Sequence, residues 1–144
     1  MKVDAHAPLT GRDEITIQAP PETVWSVLTD IAGWPQWQSG VSSAALDGEL
    51  AVGTTFRWKA NGLGITSTIQ DLRPGRRIGW TGDSLGMRAI HLFALEPQDG
   101  VTRVTTEESL SGWLARILKF FDANYLDKSL ASSLQALKTR AEGG

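Results

Sequence analysis

The sequence predicts an α+β fold: one strand, two short helices, a six-strand antiparallel meander and a long C-terminal helix. Two observations carry this expectation. Between Val41 and Leu110 the hydrophobic period is two, broken at regular spacing by turn-forming residues. After Ser111-Gly112 the period becomes helical and stays so to about Ala141. The chain has 144 residues, a length that fits one domain burying roughly 68–70% of its unfolded surface.

Each element has a local reason. Residues 1–11 read as a flexible tail, and residues 12–141 as the single domain. From Asp13, Ile15, Ile17 and Ala19 alternate with Glu14, Thr16 and Gln18, the pattern of a half-buried strand. Pro20-Pro21-Glu22 opens a helix whose apolar residues are Val24, Trp25, Val27 and Leu28, proline being tolerated in a first turn. A second short helical turn, capped by Asp30, runs to Trp37. The meander is punctuated by Asp47-Gly48, Asn61-Gly62, Pro74-Gly75, Asp83-Ser84 and Asp99-Gly100. Asn-Gly and Asp-Gly suit two-residue hairpins because both central positions need φ > 0.

Turn positions fix register. A two-residue turn at Asn61-Gly62 sets Trp58 opposite Ile65 and Phe56 opposite Ser67. One at Pro74-Gly75 sets Ile69 opposite Trp80, and one at Asp83-Ser84 sets Trp80 opposite Met87 and Ile78 opposite Ala89. The turn at Asp99-Gly100 pairs Phe93 with Thr106, Leu95 with Val104, His91 with Glu108 and Glu96 with Arg103. The last is an opposite-charge cross-strand pair worth about 0.2–1 kcal/mol. These registers agree on one inward face that includes Phe56, Trp58, Ser67, Ile69, Trp80, Met87, His91, Phe93, Thr106 and Glu108.

The C-terminal helical stretch carries two apolar stripes. Leu114, Ile117, Leu118, Phe121 and Tyr125 share one face, and Leu126, Leu130, Leu134 and Leu137 lie roughly half a turn away at 100° per residue. One straight helix cannot lay both on a sheet. A break near Ala123–Tyr125, or an exposed apolar patch on the first half, is expected.

Composition excludes several classes. There is no cysteine, so disulfide scaffolds, zinc ribbons and thiol catalysis are out. With only His6 and His91, no metal centre and no cofactor is expected. Residues 1–56 carry two basic and seven acidic side chains, residues 57–103 seven and four, and the rest five and five. No basic run exceeds Arg76-Arg77, so nucleic-acid binding is not expected. The longest uncharged stretch, Ile31 to Leu46, contains Gly, Pro, Gln and Ser, which argues against membrane insertion. Met1–Pro8 has no apolar signal-peptide region, and the cytoplasm is the expected compartment.

Three features bear on chemistry. Gly82-Asp83-Ser84-Leu85-Gly86 matches the G-x-S-x-G nucleophile elbow. That elbow needs a following helix and a histidine partner. Here Met87 to Leu95 reads as strand and His91 is the only later histidine, so a hairpin turn is the better reading. His91 facing Glu108 reads as a mutually satisfied buried pair, a polar anchor for a ligand, or an acid–base pair. Six of the eleven aromatic residues are Trp. An inward face rich in aromatics yet interrupted by Ser67, His91, Thr106 and Glu108 suits an apolar pocket with a few convergent polar groups better than a dry core.

The order of elements resembles the helix-grip superfamily of START-like lipid-binding domains and the birch pollen allergen. More closely, it resembles the polyketide cyclase/dehydrase and lipid-transport family within it. The resembling segments are Ile17–Trp25, Leu28–Trp37, Gly53–Phe56, Leu72–Trp80, Phe93–Pro97, Gly100–Val104 and Leu134–Lys138, spread over about residues 12–141. The resemblance implies a curved seven-stranded sheet gripping the C-terminal helix, with a hydrophobic cavity between them. By position, Trp37 would sit near the cavity mouth and Phe56, Trp58, Trp80, His91 and Glu108 would line its wall.

The expected function is binding of an apolar small molecule, such as a lipid or polyketide, as carrier or sensor. Its ligand contacts would be Trp37, Phe56, Trp58, Ser67, Ile69, Trp80, Met87, His91, Phe93, Thr106, Glu108 and Tyr125. A cyclase or dehydratase using His91 with Glu108, the only catalytic candidates, is the alternative. A protein-interaction module acting through the C-terminal helix, in a monomer or homodimer, is the third reading.

Overall fold

The computed structural model describes residues 1–143. Seven antiparallel strands form one sheet: β1 (Leu9–Ile17), β2 (Val41–Leu46), β3 (Thr55–Ala60), β4 (Leu63–Arg73), β5 (Arg77–Ser84), β6 (Met87–Gln98) and β7 (Val101–Ser111). Their lateral order is β1-β7-β6-β5-β4-β3-β2, so β2 to β7 are a meander and β1 joins its far edge. Helix α1 (Pro21–Thr29) and a 3-10 segment (Ile31–Gln36) carry the chain from one sheet edge to the other. Helices α2 (Trp113–Phe121) and α3 (Tyr125–Ala141) follow β7. This is the α+β, curved-sheet arrangement the sequence predicts.

Helix α1 starts with proline in its first turn and buries Val24 and Leu28. Asp30 stands at the start of the 3-10 segment, but its side chain makes no capping hydrogen bond; its backbone carbonyl accepts from the Gly33 N–H at 3.0 Å. Helix α3 buries Leu126, Leu130, Leu134 and Leu137 against the sheet, the stripe read from the sequence. It passes close over β1 at Gly11, where a Cβ would lie 2.9 Å from the Leu130 side chain. The two ends of this layer are tied together: Lys138 Nζ donates to the Thr16 carbonyl at 3.0 Å, and the Gln18 N–H donates to Glu142 at 2.7 Å.

Four expectations need correction. Strand β1 begins at Leu9, inside the stretch read as a tail; Leu9 is buried opposite Leu110, and the Asp4 N–H donates to Ser109 Oγ. The inward positions 11 and 13 hold Gly and Asp, which hides the alternation. The β5–β6 turn is Leu85-Gly86 rather than Asp83-Ser84, so Trp80 faces His91 and Ile78 faces Phe93. That shift of four residues is even, and the inward face survives it. The β4–β5 turn contains three residues, Pro74 to Arg76, and a bulge between Ile69 and Asp71 restores the expected pairing of Ile69 with Trp80. Finally, Glu96 does lie opposite Arg103, but the guanidinium bonds Glu14 on β1 instead.

The C-terminal helix is broken, as the two stripes require. Asp122 ends α2 in an extended conformation, and its carboxylate accepts from the Asn124 N–H and from Lys128. The patch named as the other outcome is also present. Trp113, Ile117, Phe120 and Phe121 are exposed, and α2 buries only Ala115.

Candidate functional site

Space inside the sheet is divided by one side chain. Trp34, on the 3-10 segment, is buried and donates its indole N–H to the Leu28 carbonyl at 2.9 Å. Its ring centroid lies 5.5 Å from Phe56, 5.3 Å from Trp58 and 5.6 Å from Trp80. These rings, with Phe93, Ile69, Ile78 and the buried stripe of α1, fill the half of the sheet nearest the 3-10 segment. Edge-to-face contacts such as Trp34 on Phe56 each add about 0.5–1.5 kcal/mol beyond burial.

The other half is open. A cavity of about 450 Å³ lies between strands β3 to β7, the segment Gln38–Val41 and the first turns of α3. Its apolar wall includes Trp58, Ile65, Trp80, Met87, Leu110, Leu126 and Leu130. Gly82 forms part of its floor: a Cβ there would come within 3.1 Å of Ser67 Oγ and 3.2 Å of Ile65. Trp58 is held by an indole N–H donated to Ser67 Oγ at 3.1 Å.

Of the twelve residues named from the sequence, seven line this cavity: Trp58, Ser67, Trp80, Met87, His91, Glu108 and Tyr125. Phe56, Ile69 and Phe93 are instead packed in the core, Phe56 against Trp34 and Phe93 against Trp80. Trp37 packs against that same core, while the residues after it, Gln38 to Val41, reach the cavity. Thr106 lies behind His91 rather than on the surface of the cavity. Sequence reasoning missed the helical wall. Ser129, Ser132, Ser133 and Ala136 face the cavity at spacing i, i+3, i+4, i+7, a stripe of small residues beside the leucine stripe.

The polar pair sits where the register puts it, on neighbouring strands β6 and β7. The Thr106 hydroxyl donates to the Leu92 carbonyl at 2.9 Å, so it accepts from the imidazole at 2.9 Å and assigns the ring proton to Nε2. His91 Nδ1 lies 3.4 Å from Glu108 Oε2. With Nε2 protonated, this arrangement admits either an imidazolium donating to a carboxylate or a neutral ring facing a protonated carboxyl. Burial acts the same way on both groups, pushing Glu108 up to about 8 and holding His91 down to about 3. Near neutral pH the pair is therefore a neutral imidazole beside a neutral carboxylic acid. At 3.4 Å their contact is long for a hydrogen bond, which leaves the Glu108 proton available to an occupant of the cavity. The side chains retain 11% and 15% of their surface, enough to be touched from that side.

The G-x-S-x-G match has no such chemistry. Ser84 ends β5 and pairs with Met87 across a hairpin turn, with Gly86 at φ 72°. No helix follows.

The sequence matches the family model described as polyketide cyclase / dehydrase and lipid transport over residues 9–142. No curated protein matches it. Among solved structures, a hypothetical protein from Helicobacter pylori superposes with a TM-score of 0.85 at 18% identity, over 96% of this chain and 91% of that one. The Zhui aromatase/cyclase from a Streptomyces species gives 0.79 at 17% identity, covering 92% and 93%. A START superfamily protein from Mycobacterium smegmatis gives 0.76 at 14% identity, covering 92% and 97%. At these identities the structures speak to the fold, which is the helix-grip arrangement, and the family match spans nearly the whole chain. The protein belongs to the polyketide cyclase/dehydrase and lipid-transport family.

Proposed function

We propose that this protein binds an apolar small molecule with one polar end, as a carrier or sensor acting in the cytoplasm. The observation that carries the reading is the cavity of about 450 Å³, walled on one side by Trp58, Trp80 and Met87 and on the other by the serine stripe of α3. Its size lies in the range of about 300–1,000 Å³ usual for small-molecule sites. The aromatic wall supplies affinity, and the neutral Glu108 and His91 supply orientation through one donor and one acceptor. A ligand carbonyl or hydroxyl suits that pair better than a carboxylate, because the site offers no fixed positive charge beyond Lys128 at the rim.

The test is a titration with anilinonaphthalene sulfonate, followed by the intrinsic fluorescence of Trp58 and Trp80 and by native mass spectrometry. Saturable binding at one site is expected. Ala89→Trp, which fills the cavity from β6, should weaken it at least about tenfold while leaving the thermal transition cooperative. Undiminished binding by that variant would sink the reading.

Acid–base catalysis is a second reading, favoured by the same pair. A protonated Glu108 can donate to a ligand carbonyl or a departing hydroxyl while His91 Nδ1 takes the ligand's α-proton; the imidazolium then returns that proton to the Glu108 carboxylate beside it, which restores the neutral pair. This is the chemistry a cyclisation–dehydration requires. Here His91→Ala abolishes turnover of a poly-β-carbonyl substrate while binding is retained; loss of both together would count against a catalytic role.

A further inference from the structure

Helix α2 is built inside out. Trp113, Ile117, Phe120 and Phe121, at spacing i, i+4, i+7 and i+8, form its outer face, while the inner face offers Ala115 and the partly covered Leu114 and Leu118. Phe120 is 85% exposed and Phe121 79%, and they meet edge to face 5.3 Å apart. Leu85, 72% exposed at the β5–β6 turn, belongs to the same end of the molecule: the Leu114 N–H donates to the Gly86 carbonyl at 2.9 Å, and the Trp113 ring lies against Gly86. No helix among the described residues is long and apolar enough to cross a membrane.

Charge decides what covers this face. Arg116 and Lys119 flank it, both are exposed, and neither joins an ion pair among the described residues. The nearby cations Lys128 and Arg88 are neutralised by Asp122 and Asp83. The patch is thus cationic on a chain whose net charge is −2. A two-fold dimer through α2 would bring two copies of this unpaired cationic pair into one interface. Aromatic side chains flanked by unpaired basic ones instead match the boundary of an anionic bilayer, where rings enter the acyl region and basic groups stay among the headgroups.

The surface also borders the cavity. Ser84 and Met87, on either side of the Leu85-Gly86 turn, line it, as do Tyr125 and Lys128 just past the α2–α3 break. We propose that α2, with Leu85, seats reversibly on an anionic lipid surface and so turns the rim of the cavity toward the bilayer.

The experiment is co-sedimentation of the full chain with phosphatidylcholine vesicles, with and without phosphatidylglycerol. Binding is expected only to the phosphatidylglycerol vesicles, and added salt should release it. Arg116→Gln with Lys119→Gln should weaken it by about fivefold for each cation removed. Phe120→Ser with Phe121→Ser should abolish it. Both side chains are exposed, so this variant should melt like the parent and still bind anilinonaphthalene sulfonate in its cavity, which separates the present inference from the ligand-binding one. Trp113→Phe should delete the blue shift that vesicles cause, while pelleting persists. Failure to bind phosphatidylglycerol vesicles at low salt overturns the proposal. So does equal binding to both vesicle types, or a solution dimer that the double Phe variant dissolves.

Discussion

His91 and Glu108 hold one proton fewer than two bases could, and its location sets the pH response. In the unfolded chain, ordinary values put His at about 6.5 and Glu at about 4.3. Burial lowers the first to about 3 and raises the second to about 8 in the folded protein. For the depressed histidine, the contribution to stability is present above the unfolded value and is lost as pH falls toward the folded one. For the raised glutamate, it is present below the unfolded value and is lost as pH rises toward the folded one. Between about 4.3 and 6.5 both states hold one proton on this pair and its contribution is flat. Above 6.5 the folded state holds the extra proton, and stability should fall by about 1.4 kcal/mol per pH unit until pH 8. Glu108→Gln, whose amide can donate where the carboxyl does, should erase this alkaline arm in urea melts taken at several pH values. An unchanged slope would mean that Glu108 is ionised in the folded protein. The pairing itself was legible from the Asp99-Gly100 turn alone, since register fixes which side chains share a rung. The tautomer was not, because it depends on the Thr106 hydroxyl choosing the Leu92 carbonyl.

At the scale of elements, the approach of α3 to β1 leaves little room at Gly11. Gly11 meets Leu130, Asp127 and Leu126 within 3.4 Å of where a Cβ would stand. Gly11→Val should therefore lift α3 and cost about 1–3 kcal/mol, the usual penalty of overpacking, measured by denaturant midpoint. A loss below about 0.5 kcal/mol would show that the helix shifts freely. The same glycine explains why the start of β1 was misread. A strand whose inward positions include Gly11 and Asp13 shows no alternation there, although Leu9 is buried. The misplaced β5–β6 turn has a different cause. Asp83-Ser84 and Leu85-Gly86 are both acceptable turn sequences, and the choice is made by Gly86 adopting a left-handed conformation against the ring of Trp113. Helix α2, distant in sequence, settles a turn that no local rule could. The break in the C-terminal helix, by contrast, was visible as two stripes on incompatible faces, because helical phase is a property of the segment itself.

For the molecule as a whole, periodicity identified the inward face but not how it is shared between core and cavity. Phe56, Ile69 and Phe93 face the same way as Trp58, Trp80 and His91, yet the first group is packed into the core beneath the 3-10 segment and the second lines the cavity. How far a 3-10 segment reaches over a sheet is set by chain geometry between distant elements, and single-strand patterns carry no record of it. The same holds for the serines of α3, whose spacing was readable but whose partner surface was not. The sheet order has a further consequence, in time rather than space. Leu9 pairs with Leu110 and Ile17 with Thr102, whereas each hairpin of the meander closes over two to eight residues. Loop-closure entropy favours the short loops first. The meander can zip from its turns while β1, the first strand to leave the ribosome, waits for the last strand to arrive. Until then the outer edge of β7 is unpaired and α3 has no floor at Gly11, so completion of this fold belongs to its two chain ends meeting.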